Sequence, residues 1–136
     1  MYAVIVGCGR VGSTLAAELS RAGHSVVVLD SRPTQFEALP AEFSGFKVAG
    51  DAAELDVLRR SKMDQADAVI AVTRDDNLNL MVAQAAAAVF GVKTVLARCY
   101  DPTREAVYRE LGIETVSPNR LAVAAFLARL SGEREP

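Results

Sequence analysis

The stretch Val4-Ile5-Val6-Gly7-Cys8-Gly9-Arg10-Val11-Gly12 decides the fold of this chain. A β-branched run ends in G-x-G-x-x-G, and residues 11–21 then read as a helix, with Leu15 and Leu19 at i, i+4 spacing. Strand, glycine loop and helix in that order form a phosphate cradle. The first glycine makes the tight turn, the second lets backbone approach a phosphate, and the third lets helix and strand pack closely. The helix N-terminus adds unpaired N–H groups and partial positive charge. The plainer alternative is a strand–helix turn that needs glycine for geometry alone. A second strand, residues 25–29, ends at Asp30, 18 residues beyond Gly12, with Ser31 next. An acidic residue there takes ribose hydroxyls and repels a 2′-phosphate, which disfavours NADP.

Outward from the loop, short β-branched runs alternate with helical stretches. Strands are expected at residues 2–6, 25–29, 46–49, 68–72, 94–97 and 114–116. Helices are expected at 11–21, 33–39, 53–60, 75–90, 102–111 and 117–130, the last opened by Ser117 as N-cap and Pro118 at the first helical position. This alternation predicts an α/β, doubly wound, mainly parallel six-stranded sheet in Rossmann-like order 3-2-1-4-5-6, with helices on both faces. The strands read as continuously apolar, as burial on both faces requires. One domain is expected over residues 1–131, with a frayed tail at 132–136.

Composition excludes several classes. Of 136 residues, 51% are apolar and 24% charged, too apolar for a disordered chain. Fifteen basic against seventeen acidic residues argue against nucleic acid as a partner. Two cysteines and one histidine, His24, provide neither a disulfide framework nor a metal cluster and suit a reducing cytosol. The longest uncharged stretch, residues 77–92, is too short and too polar to span a bilayer. The N-terminus has no basic n-region, so no signal peptide is expected. The length suits one nucleotide-sized domain without a substrate domain.

Other candidate site residues fall where strands end. Arg10, inside the glycine loop, suits a terminal phosphate, or is a solvated arginine at a helix start. Asp51 and Ala52 follow the third strand, Thr73 the fourth, and Arg98 ends the fifth. With Gly7, Gly9, Arg10, Val11, Gly12, Asp30 and Ser31 they converge on one crevice at the carboxyl edge of the sheet. Each alone is also ordinary loop chemistry. Catalytic constellations are missing: no Tyr-x-x-x-Lys exists, since Val6, Arg104 and Gly112 stand four residues after the three tyrosines. Cys8 sits where a helix terminus lowers a thiol pKa, or serves as a small hydrophobe. Residues 121–130 are apolar at nine of ten positions. A helix apolar all round calls for burial all round, which predicts a second subunit or a further domain against it.

Together the glycine loop, Val28-Leu29-Asp30, Gly50-Asp51-Ala52, Ala68-Val69-Ile70-Ala71-Val72-Thr73, Asp76-Asn77-Leu78-Asn79, Ala97-Arg98 and Asp101-Pro102 resemble the regulator-of-potassium-conductance family (RCK, TrkA-N or KTN). The resemblance spans nearly the whole chain. It implies a non-catalytic cytosolic subunit that gates a Trk- or Ktr-type potassium transport system. Such a subunit lies at the inner face of the membrane and binds ATP, ADP or NAD(H). Its dimers or rings, with or without a second RCK protein, change shape with the nucleotide. It further implies Arg10 and Arg98 on phosphates, Asp30 on ribose, Asp51 and Ala52 on the adenine side, and a crossover last helix packing on a neighbouring subunit. Many relatives carry Ser-Pro-Glu, whose glutamate can join a cation site near the phosphates, where this chain has Ser117-Pro118-Asn119 with a neutral asparagine. Many relatives also continue into a small ligand-sensing domain. The alternatives are the cofactor half of an NAD-dependent oxidoreductase and an adenine-nucleotide sensor unrelated to ion transport.

Overall fold

The computed structural model describes residues 1–132; the expected tail at 133–136 lies outside the described residues. Strand β1 (Tyr2–Val6) turns through the glycine loop into α1 (Arg10–Arg21), and β2 (Ser25–Asp30) follows. A 3-10 stretch (Pro33–Ala38) leads to β3 (Phe46–Ala49), α2 (Leu55–Arg60) and a second 3-10 turn (Met63–Gln65) that the sequence pattern did not signal. Then come β4 (Ala68–Ala71), α3 (Asp76–Gln84), β5 (Thr94–Arg98), α4 (Pro102–Glu110), β6 (Glu114–Val116) and α5 (Pro118–Leu130). The six strands are all parallel in the order β3-β2-β1-β4-β5-β6, as expected.

Alternation along the strands splits the core into two layers. Val4, Val6, Leu29, Val69 and Ala71 face α2, α3 and α4, meeting Leu58, Val82 and Tyr108. Ala3, Ile5, Val26, Val28 and Ile70 face α1, meeting Ala16, Leu15 and Leu19. Each central strand is therefore apolar on both sides, and β1 and β4 are buried almost throughout. The edges depart from the expectation of continuous burial. Phe46 of β3 is 75% exposed, and Glu114 and Val116 of β6 are exposed. An edge strand has a neighbour on one side only and less helix above it.

Three helix boundaries also shift. The helix expected from residue 53 starts at Leu55, because Asp51 Oδ1 accepts the Ala53 N–H and holds a turn there. The long helix expected over 75–90 is α-helical to Gln84 and then widens into a π turn (Ala85–Val89), where the Phe90 N–H reaches the Ala85 carbonyl. The stretch expected as a helix over 33–39 is 3-10. Ser117 caps α5 as expected, its Oγ accepting the Arg120 N–H.

The last helix departs further. Its apolar run calls for burial all round, yet within this domain α5 contributes no buried residue. On the α1 side of the sheet, Leu96 is half-buried and Glu114, its partner in register, is exposed, so this half of the sheet is not closed over. Among the described residues no helix is long and apolar enough to cross a membrane.

Candidate functional site

Parallel strands end together, and the loops after β1, β2, β3, β4 and β5 surround a cleft of 410 Å³. The glycine loop forms its floor. Gly7 has φ +110°, and a Cβ there would come within 3.0–3.1 Å of the Val72 and Thr73 backbone. Gly12 packs under the loop: a Cβ there would overlap the Gly7 carbonyl oxygen. Gly9 faces open space and precedes α1, whose first turn carries no acidic residue. The partial positive charge of that helix end is therefore uncompensated by a side chain and available to an anion.

Asp30, at the end of β2, is tied down by backbone. Its Oδ2 accepts the Cys8 N–H at 2.8 Å and its Oδ1 the Arg32 N–H at 2.9 Å. Each oxygen keeps an acceptor site, so the carboxylate is oriented yet still free to accept two vicinal hydroxyls. Cys8 is fully buried behind it. Burial first, then the Asp30 carboxylate, push its thiol up to about 11, with Lys47 opposing. Between the two sequence readings, Cys8 is thus the small hydrophobe and not a reactive thiolate.

Arg98 is the most constrained charge in the cleft. It is 9% exposed, its Nη2 donates to the Thr73 carbonyl at 2.9 Å, and its guanidinium lies 4.9 Å from the centre of the Tyr100 ring. Its Nε has no hydrogen-bond partner among the described residues, and no carboxylate pairs with it. A buried unpaired charge is costly unless something compensates it. An anion in the cleft would do so.

Ten of the eleven sequence candidates line this cleft: Gly7, Gly9, Arg10, Val11, Asp30, Ser31, Asp51, Ala52, Thr73 and Arg98. Gly12 does not; it supports the loop from beneath. Sequence reasoning missed Arg32, Gln35, Arg74 and Tyr100, which also line it. Arg32, Arg74 and Tyr100 lie within two residues of a candidate, which is the signal that was available. Four arginines, Arg10, Arg32, Arg74 and Arg98, face two aspartates across the cleft, so the site is locally basic although the chain carries a net charge of −2. Among the described residues no three His, Cys, Asp or Glu side chains cluster to hold a metal.

Glycine turn, oriented ribose-height acid and basic crevice on a 3-2-1-4-5-6 sheet define a Rossmann-like nucleotide-binding domain. More narrowly, residues 3–118 match the TrkA-N domain, and the chain belongs to that family. It is 45% identical over 130 residues to the Trk system potassium uptake protein TrkA of Streptomyces coelicolor, covering 96% of this chain and 58% of that protein. The chain thus spans little more than half of that relative. Among solved structures, it resembles the TrkA-N domain of the inner membrane protein ybaL from Escherichia coli, with TM-score 0.85 and 25% identity, covering 95% of this chain and 96% of that one. It also resembles the GsuK RCK domain, with TM-score 0.72 and 26% identity, covering 85% of this chain and 25% of that one.

Proposed function

We propose that this domain is the nucleotide sensor of a Trk- or Ktr-type potassium transport system, and that adenine-nucleotide binding in the cleft biases the shape of an assembly. The observation that carries the reading is Arg98: a nine-tenths buried guanidinium whose Nε–H lacks an acceptor, in a crevice floored by the glycine loop. Phosphate oxygens of ATP, ADP or NAD(H) compensate that charge where Arg98 lines the cleft, and the bare α1 terminus takes a second phosphate. Arg10 reaches the terminal phosphate, and Asp30 holds the ribose. Asp51 and Ala52 border the adenine, with Ser31 and Thr73 lining the path between. A 2′-phosphate would meet the Asp30 carboxylate, so NADP binds more weakly.

The domain is read as a switch and not an enzyme. Among the described residues no histidine or lysine lines the cleft beside the Ser31 and Thr73 hydroxyls, and its nearest thiol is buried and held neutral. A ligand moves a two-state equilibrium only by its differential affinity for the two states. The working unit is a homodimer or ring in which α5 crosses to a neighbouring copy. It acts on the cytoplasmic side of the membrane, beneath a potassium-translocating subunit.

Isothermal titration tests this directly. ATP, ADP or NADH binds the wild-type domain, and Asp30→Ala weakens binding by about tenfold, the worth of one charge-assisted hydrogen bond. Arg10→Ala weakens ATP more than AMP. A wild-type protein that binds none of these nucleotides would sink the reading.

A further inference from the structure

Behind the cleft wall lies a side chain that touches none of the open space yet holds two residues that do. Asn79, on α3, is fully buried. Its Oδ1 accepts the Thr73 backbone N–H at 2.9 Å and the Thr73 Oγ1–H at 2.6 Å. Its Nδ2 donates to the Thr73 carbonyl at 3.0 Å and to the Arg98 carbonyl at 3.0 Å. Two donors and two acceptors saturate the amide. The Thr73 carbonyl is shared, because Arg98 Nη2 donates to it as well. One amide thereby bolts the end of β4 to the end of β5 and fixes the acceptor on which the Arg98 guanidinium rests.

We propose that Asn79 is a positioning residue for the anion site. By pinning Thr73 and Arg98 to each other, it keeps the Arg98 guanidinium anchored at one nitrogen and unpartnered at Nε. The inference rests on the nucleotide reading above and extends it to a residue outside the cleft. The chemistry explains why an amide is required. Leucine would fill the space and strip the Asn79 partners from the Thr73 N–H and the Arg98 carbonyl, leaving the Thr73 carbonyl to Arg98 alone. Aspartate would set carboxylate oxygen against both carbonyls. Only a group with donors on one atom and an acceptor on the other satisfies both strand ends.

Without the amide, Arg98 gains freedom to turn toward other acceptors, and that freedom must be removed again when a phosphate binds. The expected consequence is a loss of affinity that exists only while Arg98 is present. The test is a double-mutant cycle read by isothermal titration with ADP, with folding followed by circular dichroism. Asn79→Ala weakens ADP by about tenfold, as loss of a preorganised charged contact would. In an Arg98→Ala background, Asn79→Ala costs nothing further. Unchanged ADP affinity in folded Asn79→Ala, or losses that simply add, overturns the proposal while leaving nucleotide binding itself intact. If the wild-type protein binds no nucleotide, the parent reading falls and this one with it. If Asn79→Ala does not fold, NMR of the wild type decides. The Asn79 side-chain amide protons are protected from exchange with and without ADP, and the resonance of the Arg98 Nε–H, already out of solvent, shifts on ADP addition. An Arg98 Nε–H that ignores ADP overturns the proposal.

Discussion

Gly9 and Gly12 stand three residues apart in one motif and do different physical jobs. Gly12 has no room for a methyl group, since a Cβ would run into the Gly7 carbonyl. Gly12→Ala is expected to lower stability by about 3 kcal/mol, as overpacking against backbone does, or to prevent folding. Thermal denaturation reads this directly. Gly9→Ala points its methyl into open space from an ordinary backbone conformation, so its stability should change by less than about 1 kcal/mol. Its nucleotide affinity should fall, because the methyl group occupies the path of a phosphate. Cys8 yields a pH prediction. Its thiol keeps its proton up to about 11 in the fold, against 9.0 ordinarily. Between those values the unfolded chain ionises first, so stability falls as pH rises through this window. Denaturant titrations from pH 8 to 11 should show that fall, flattened in Cys8→Ala. Cys99 is raised in the same direction, by burial and then by Asp76. Neither thiol should react with a disulfide reagent at pH 8 until the protein is unfolded.

Among the elements, α5 is the one whose environment its own sequence does not match. Leu121, Val123, Phe126, Leu127 and Leu130 are each more than half exposed. Among the described residues one side-chain ion pair ties the helix to the rest of the domain: Arg120 donates to the buried Glu105 of α4 at 2.6 Å. If a neighbouring copy covers this helix, Phe126→Glu should weaken self-association by at least about tenfold, given what truncating an aromatic anchor costs. Its thermal unfolding as a monomer should remain unchanged. Light scattering across a concentration series measures the first, and a wild-type protein that stays monomeric at high micromolar concentration rejects the idea. The helix was legible as an apolar run and as a capped start. Its lack of cover was not, because nine apolar residues in ten look the same whether a sheet, a partner or water lies against them.

For the molecule as a whole, ligand binding and folding are linked. A nucleotide that binds only the folded state stabilises it by about 2.7 kcal/mol at a hundredfold excess over Kd, which at this size raises Tm by roughly 8–10 °C. Differential scanning fluorimetry with ATP, ADP, NADH and NADP should rank the ligands, with NADP giving the smallest shift. The basic cleft within an acidic chain implies that these shifts shrink as salt is raised.

Local patterns carried the strand order and the glycine turn. Runs such as Val4-Ile5-Val6 need burial on both sides, and G-x-G-x-x-G needs a turn that only glycine makes, so both constraints are written within a few adjacent residues. The ends of the parallel strands then had to meet at one edge, which is why ten of the eleven candidates line the same cleft. The rest depended on contacts between segments distant in sequence. Asn79 finds its partners in Thr73 and Arg98, on two different strands, and nothing in the run Asp76-Asn77-Leu78-Asn79 shows that its last residue is buried and saturated. The unpartnered Arg98 Nε, the four arginines gathered around one cleft and the uncovered α5 are likewise products of packing. They depend on which surfaces the fold brings together and which it leaves without a neighbour.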